Sequence, residues 1–156
     1  MAVHPEIQKY LDSLPKGTVT TIDVETQRKV LATGLTPPEQ RVPVYQIEDR
    51  TIPSGDFEIP IRIYTPKENG PYPLLMYFHG GGFLGGSIET VDEIVRPICI
   101  ASGYKVISVG YRLAPEHPFP AAVMDCYNAT KWVAEHTEEL KGDGINLAVC
   151  GDSAGG

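Results

Sequence analysis

Phe57-Glu58-Ile59-Pro60-Ile61-Arg62-Ile63-Tyr64 alternates apolar and polar side chains, the period of a strand with one buried face. Val42 to Glu48 predicts a strand before it, and Pro53-Ser54-Gly55-Asp56 the turn between them, so the two should pair antiparallel. Pro60 lacks a backbone donor and argues for an edge position for the second strand. Three later runs are apolar almost throughout: Leu74 to Phe78, Lys105 to Tyr111 and Asn146 to Cys150. Such runs predict parallel strands covered on both faces. Helical patterns separate them. One is capped at Ser87 or Thr90 and runs to about Ala101. The other lies within Pro118 to Leu140, where Ala122, Cys126, Ala129, Val133 and His136 recur at helical spacing. Strand and helix alternate from residue 74 onward, which implies right-handed crossovers and a parallel sheet.

Residues 1 to about 40 have a different pattern. Pro5 can open a helix with Ile7, Tyr10, Leu11 and Leu14 on one face. Thr21 to Leu31 predicts a second helix, ended near Gly34 and Pro37-Pro38. On pattern alone this segment is a packing arm. The chain divides into this helical segment, 1–40, and a core, 41–156, with no repeat, low-complexity tract or linker.

The 156 residues suffice for one domain with a real core. Thirteen Lys and Arg stand against 20 Asp and Glu, a net charge of −7. That balance disfavours nucleic acid or an anionic membrane surface as a partner. No apolar run approaches the ~18 residues of a membrane span, and the N-terminus carries no signal-peptide pattern. Cys99, Cys126 and Cys150 are far apart and without metal-ligand spacing. They predict reduced, buried thiols and a cytoplasmic setting. No metal or cofactor is expected.

The chemistry concentrates in two stretches. Gly151-Asp-Ser-Ala-Gly155 follows an apolar strand and matches G-x-S-x-G, which lifts a serine clear of a sheet on a strained strand-to-helix turn. Ser153 is then a candidate nucleophile for an ester carbonyl. His79-Gly80-Gly81-Gly82-Phe83 directly follows the run Leu74 to Phe78. The N–H groups of Gly80, Gly81 and Gly82, with that of Ala154, are candidates for an oxyanion hole. The bland alternatives are a tight turn at Ser153 and a flexible loop at the glycines. His79 reads as support for the loop and not as a base. His4, His117 and His136 read as surface or helix-face residues, and Arg112, Glu116 and Asp125 as structural. Asp152 reads as a local hydrogen-bonding residue of the turn, too close to Ser153 to orient a histidine that must itself reach the serine.

Three motifs in order, His79-Gly-Gly-Gly-Phe83, Tyr111-Arg-Leu-Ala-Pro-Glu116 with Pro118-Phe-Pro-Ala-Ala122, and Gly151-Asp-Ser-Ala-Gly-Gly156, resemble the hormone-sensitive-lipase-like carboxylesterases of the α/β-hydrolase fold. The likeness runs from about Arg41 to the end. It implies a mostly parallel sheet with helices on both faces, and an N-terminal helical cap segment over the active site. It implies hydrolysis of short- to medium-chain carboxylic esters through an acyl-enzyme on Ser153, and favours Gly81 and Gly82 as donors with Gly80 shaping the turn. In this fold the triad runs Ser, then Asp or Glu, then His. Only three residues follow Ser153. The chain therefore reads as incomplete at its C-terminal side, with acid and base supplied by a C-terminal half, covalent or as a second chain. A chymotrypsin-like protease disagrees with the inserted Ala154 and with helices between strands. An inactive fragment or hydrolase-fold binding module stays open as the non-enzymatic reading.

Overall fold

A computed structural model describes residues 3–13 and 23–156. Its helices are α1 (Pro5–Ser13), α2 (Val24–Leu31), α3 (Ile88–Ser102) and α4 (Ala121–Glu135). Its strands are β1 (Gln46–Ser54), β2 (Phe57–Thr65), β3 (Tyr72–Phe78), β4 (Lys105–Val109) and β5 (Gly142–Gly151). They form one mixed sheet in the order β1-β2-β4-β3-β5. β3 pairs parallel with both β4 and β5, while β1 and β2 are antiparallel neighbours at one end.

Two expectations about the first hairpin are corrected. The first strand lies at 46–54, not 42–48, and Ser54 pairs with Phe57 across a turn of only Gly55-Asp56. The apolar signal of Val42 and Val44 is broken by Pro43. The polar run Glu48-Asp49-Arg50-Thr51 extends instead because β2 pairs along all of it. β2 is not an edge strand either, since β1 and β4 flank it. Pro60 is tolerated because its β4-facing side lies just past the end of that strand. Its carbonyl accepts from Gly110 N–H at 2.8 Å, and the missing donor belongs to the same side.

Alternation along the strands feeds two cores, one on each sheet face. Ile61, Ile63, Leu74, Met76, Ile107 and Val109 pack with Ala129 and Val133 of α4. Tyr64, Tyr77 and Val106 pack with Val91, Val95 and Cys99 of α3. Ser87 and Thr90 share the start of α3 in a reciprocal capping box, and Gly103 ends it in the left-handed region. On α4 the apolar face is as predicted, except that His136 caps the C-terminus, where it stacks on Trp132.

The N-terminal helices are peripheral. α1 buries no residue, and Ile7, Tyr10 and Leu11 are exposed. Leu14, Thr21 and Ile22 lie outside the described residues. α2 starts at Val24 with Asp23 as its cap and lies on the core only through its Arg28 side. The thiols differ from expectation too. Burial pushes Cys99 up to about 11 and Cys126 up to about 12, but Cys150, on the outermost strand, is exposed.

Candidate active site

β3 and β5 run side by side in the same direction and end in the same row, Phe78 opposite Gly151. Adjacent strands lie about 4.8 Å apart, so the two chains leave the sheet together. One continues as His79-Gly80-Gly81-Gly82, the other as Asp152-Ser153-Ala154. The carboxyl ends of parallel strands are where open α/β sheets build their sites.

The turn at Ser153 is strained. Ser153 has φ +51, a left-handed value that a serine adopts only when its surroundings impose it. The 3-10 turn Ser153–Gly155 is closed by Gly155 N–H to Asp152 O at 2.8 Å and Gly156 N–H to Ser153 O at 3.1 Å. Gly155 sits so close to the end of β3 that a Cβ there would collide with Phe78 O. Ser153 is thereby exposed, and its hydroxyl has no partner among the described residues.

The glycine loop is held from beneath. His79 is fully buried and stacks on Tyr111, ring centroids 4.1 Å apart. Its Nδ1 lies 2.8 Å from Gly80 O. A carbonyl only accepts, so Nδ1 carries the proton. Burial holds the imidazole below its ordinary value, against the opposing pull of Gly80 O and Asp152. The Tyr111 hydroxyl donates in turn to His79 O. Gly81 and Gly82 both have positive φ, +127 and +62. Gly81 O accepts from Leu84 N–H at 3.1 Å and Gly85 N–H at 3.0 Å.

Gly80 leaves the set of candidate donors. Its N–H is buried and donates to Asp152 Oδ1 at 3.0 Å, an oxygen that also accepts from the Tyr77 hydroxyl at 3.0 Å. The N–H groups of Gly81, Gly82 and Ala154 have no protein partner among the described residues. Asp152 makes the hydrogen bond expected of it, but across two strands and not within its own turn. Tyr77 and Arg28 carry no local sequence signal for the contacts they make. Tyr77 reads only as an apolar strand residue, and Arg28 as one more charge on an exposed helix.

The charged residues of the middle motif pair with partners outside it, Arg112 with Asp125 and Glu116 with Arg28. Arg112 forms a fork with the fully buried carboxylate of Asp125, at 2.9 and 2.7 Å. Glu116 pairs with Arg28 at 2.7 Å and is held down to about 2 by it. Phe83, Tyr111, Cys126 and Ala154 line an apolar cavity of about 230 Å³ beside the turn. Among the described residues, no group of three or more His, Cys, Asp or Glu is placed to hold a metal, and no helix is long and apolar enough to cross a membrane.

Comparison with known proteins agrees with this geometry. The profile of a family described as α/β hydrolase fold matches residues 75–156. The chain is 40% identical over 158 residues to carboxylesterase NlhH of Mycobacterium tuberculosis, covering 99% of this chain and 49% of that protein. It is 39% identical over 159 residues to an arylesterase of Saccharolobus solfataricus, covering 100% and 52%. A solved structure of a hyperthermophilic esterase from the archaeon Pyrobaculum calidifontis superposes with TM-score 0.78 at 40% identity, over 99% of this chain and 51% of that one. The chain thus spans about half the length of the relatives it matches. With its motifs, sheet and relatives in agreement, the chain belongs to the α/β-hydrolase fold family, among the hormone-sensitive-lipase-like carboxylesterases.

Proposed function

We propose that these residues are the nucleophile-bearing part of a serine carboxylesterase for short- to medium-chain esters. The observation that carries the reading is the exposed, strained Ser153 beside the half-buried Gly81 and exposed Gly82, both at the carboxyl ends of adjacent parallel strands. Ser153 Oγ attacks the ester carbonyl, the alcohol leaves, and water later releases the acid from the acyl-enzyme. Gly81, Gly82 and Ala154 N–H groups receive the oxyanion. His79 supports the loop as a neutral, buried imidazole and takes no proton from Ser153. The triad acid and base come from a C-terminal half that follows or accompanies this chain. Support comes from chain order in this fold and from the length of the relatives. Residues 1–40 belong to a cap over the site. Three free cysteines suit a reducing, cytoplasmic setting.

The test is covalent labelling of the full-length protein with a fluorophosphonate. One adduct should form, on Ser153, and Ser153→Ala should abolish both the adduct and turnover of a p-nitrophenyl ester. Undiminished labelling of that variant rejects the assignment.

A further inference from the structure

We infer that Arg28 is a positioning residue for the oxyanion loop, through which α2 holds the Gly81-Gly82 peptide in its working orientation. The inference rests on the reading of that loop given above. Arg28 reaches three points on two segments remote from it in sequence. Its Nε donates to Leu84 O at 2.7 Å, and its Nη2 to Ala114 O at 3.0 Å. Its Nη1 and Nη2 bind both carboxylate oxygens of Glu116, at 2.8 and 2.7 Å. An exposed ion pair alone would contribute little. Here the planar fork of the guanidinium also satisfies two backbone carbonyls at once, a geometry that an ammonium cannot copy.

The link from this clamp to the donors is short. Leu84, gripped at its carbonyl by Arg28, donates its own N–H to Gly81 O, as does Gly85. The C=O of Gly81 and the N–H of Gly82 belong to one planar trans peptide and point in opposite directions. Turning Gly81 O into the Leu84-Gly85 turn therefore turns Gly82 N–H out of it. The other flank is fixed as well: Ala114 N–H donates to Phe83 O at 2.9 Å, from the residue whose carbonyl Arg28 also holds. α2 lies directly on this turn. Gly85 is buried beneath it, and a Cβ there would lie 2.7 Å from Leu31 Cδ1 and 3.4 Å from Arg28 Cγ. With two positive-φ glycines, the loop has the freedom to rotate that peptide when the clamp is released.

The experiment compares wild type, Arg28→Lys and Arg28→Ala in the full-length esterase, with kcat and KM for p-nitrophenyl butyrate and thermal melting. Fluorophosphonate titration of Ser153 counts competent sites. Arg28→Ala should lower kcat by about 10–100-fold, the scale of loss expected when reacting groups are misplaced by about 1 Å. KM should stay within about twofold, since the alignment is needed most in the transition state. Arg28→Lys should recover part of kcat and never all of it. If Arg28→Ala does not fold, the kcat deficit of Arg28→Lys at unchanged KM decides the matter. A lowered melting temperature with wild-type kcat in the folded variants would reduce Arg28 to a structural clamp and overturn the inference. So would a change confined to KM. Failure of wild-type enzyme to be labelled at Ser153 would instead reject the esterase reading itself.

Discussion

Asp152 Oδ1 accepts from Gly80 N–H and from Tyr77 OH, each at 3.0 Å, and so ties the serine turn on β5 to the loop and strand of β3. Asp152 thus sets the distance between Ser153, the proposed nucleophile, and the glycine loop proposed to receive the oxyanion. Gly80 must be glycine for the same reason: a Cβ would collide with the Asp152 carboxylate. Asp152→Ala should release the loop. A hydrogen bond to a charged group contributes about 1.5–3 kcal/mol, and solvent access at Asp152 places the loss near the lower figure. Asp152→Asn keeps an acceptor oxygen and should lose less, in both melting temperature and kcat. Equal losses in the two variants would show that charge, and not the bond to Gly80, matters.

Gly82→Ala is the cleanest probe of the oxyanion donors. A Cβ at Gly82 meets nothing within 4 Å, so folding should survive, at a cost of about 1–2 kcal/mol for the left-handed backbone. The N–H remains, but relief of the left-handed strain would turn it away from the oxyanion. A fall in kcat of up to about 10²–10³ is expected, the scale set by the loss of one aligned donor. Gly81→Ala tests something else. Its Cβ would collide with Gly85 O, so the whole turn must rebuild and folding and activity fall together. A KM effect alone for Gly82→Ala would assign that glycine to substrate binding.

Asp92 should dominate the acid limb of stability. It is fully buried and accepts from Tyr64 OH at 2.7 Å, Arg41 at 2.8 Å and Arg62 at 3.2 Å, with Arg96 beside it. Burial alone would raise its pKa; the bonds from Arg96, Tyr64 and Arg41 outweigh that and lower it below the ordinary 3.8. A carboxylate depressed in the folded state binds fewer protons there than in the unfolded chain. Its contribution is complete above about 3.8 and is lost as pH falls through the lowered value. Asp92→Asn removes the carboxylate partner of Arg96, while Arg41 and Arg62 keep Glu89 and Asp49, and it should cost about 1.5–3 kcal/mol at pH 7, the worth of a hydrogen bond to a charged group. Urea titrations between pH 2 and 7 should show a flatter acid limb for the variant. Parallel curves would assign the acid sensitivity to other groups.

Legibility in the sequence followed the reach of each interaction. Ser153, Gly81 and Gly82 stand out because their proposed roles depend on backbone conformation, which only a few residue types permit. β3 and β4 stand out because both their faces are covered; Asn146 to Cys150 reads the same way, but β5 ends the sheet and is largely exposed, since an apolar run does not say which neighbours cover it. β1 is not legible at its true position because its order comes from pairing with β2 and from Arg62–Asp49 and Arg50–Glu48 ion pairs, not from an apolar run of its own. Pro60 misled because a proline signals a missing donor but not which neighbour lacks an acceptor. The Arg28 clamp spans 56 residues to Leu84 and 88 to Glu116, and no local period encodes such a contact.

Residues 1–156 expressed alone should associate through β5. That strand ends the sheet, with β3 on one side and, among the described residues, no strand on the other. Its outer edge presents unpaired N–H and C=O groups, and Ile145 and Val149 are 87% and 63% exposed. An apolar, unprotected edge is a template for another strand. Light scattering after size exclusion should report oligomers or aggregates, and Val149→Lys, a charge on the edge, should shift them toward monomer. Esterase turnover should be undetectable in either form, because the acid and base follow the nucleophile in this fold. Adding the C-terminal half should suppress association and restore turnover together, since its strands would occupy the edge that drives the association. A monomeric wild-type segment at high concentration would show that the β5 edge is protected by other means, and serine-dependent turnover in it would mean that a base among these 156 residues reaches Ser153.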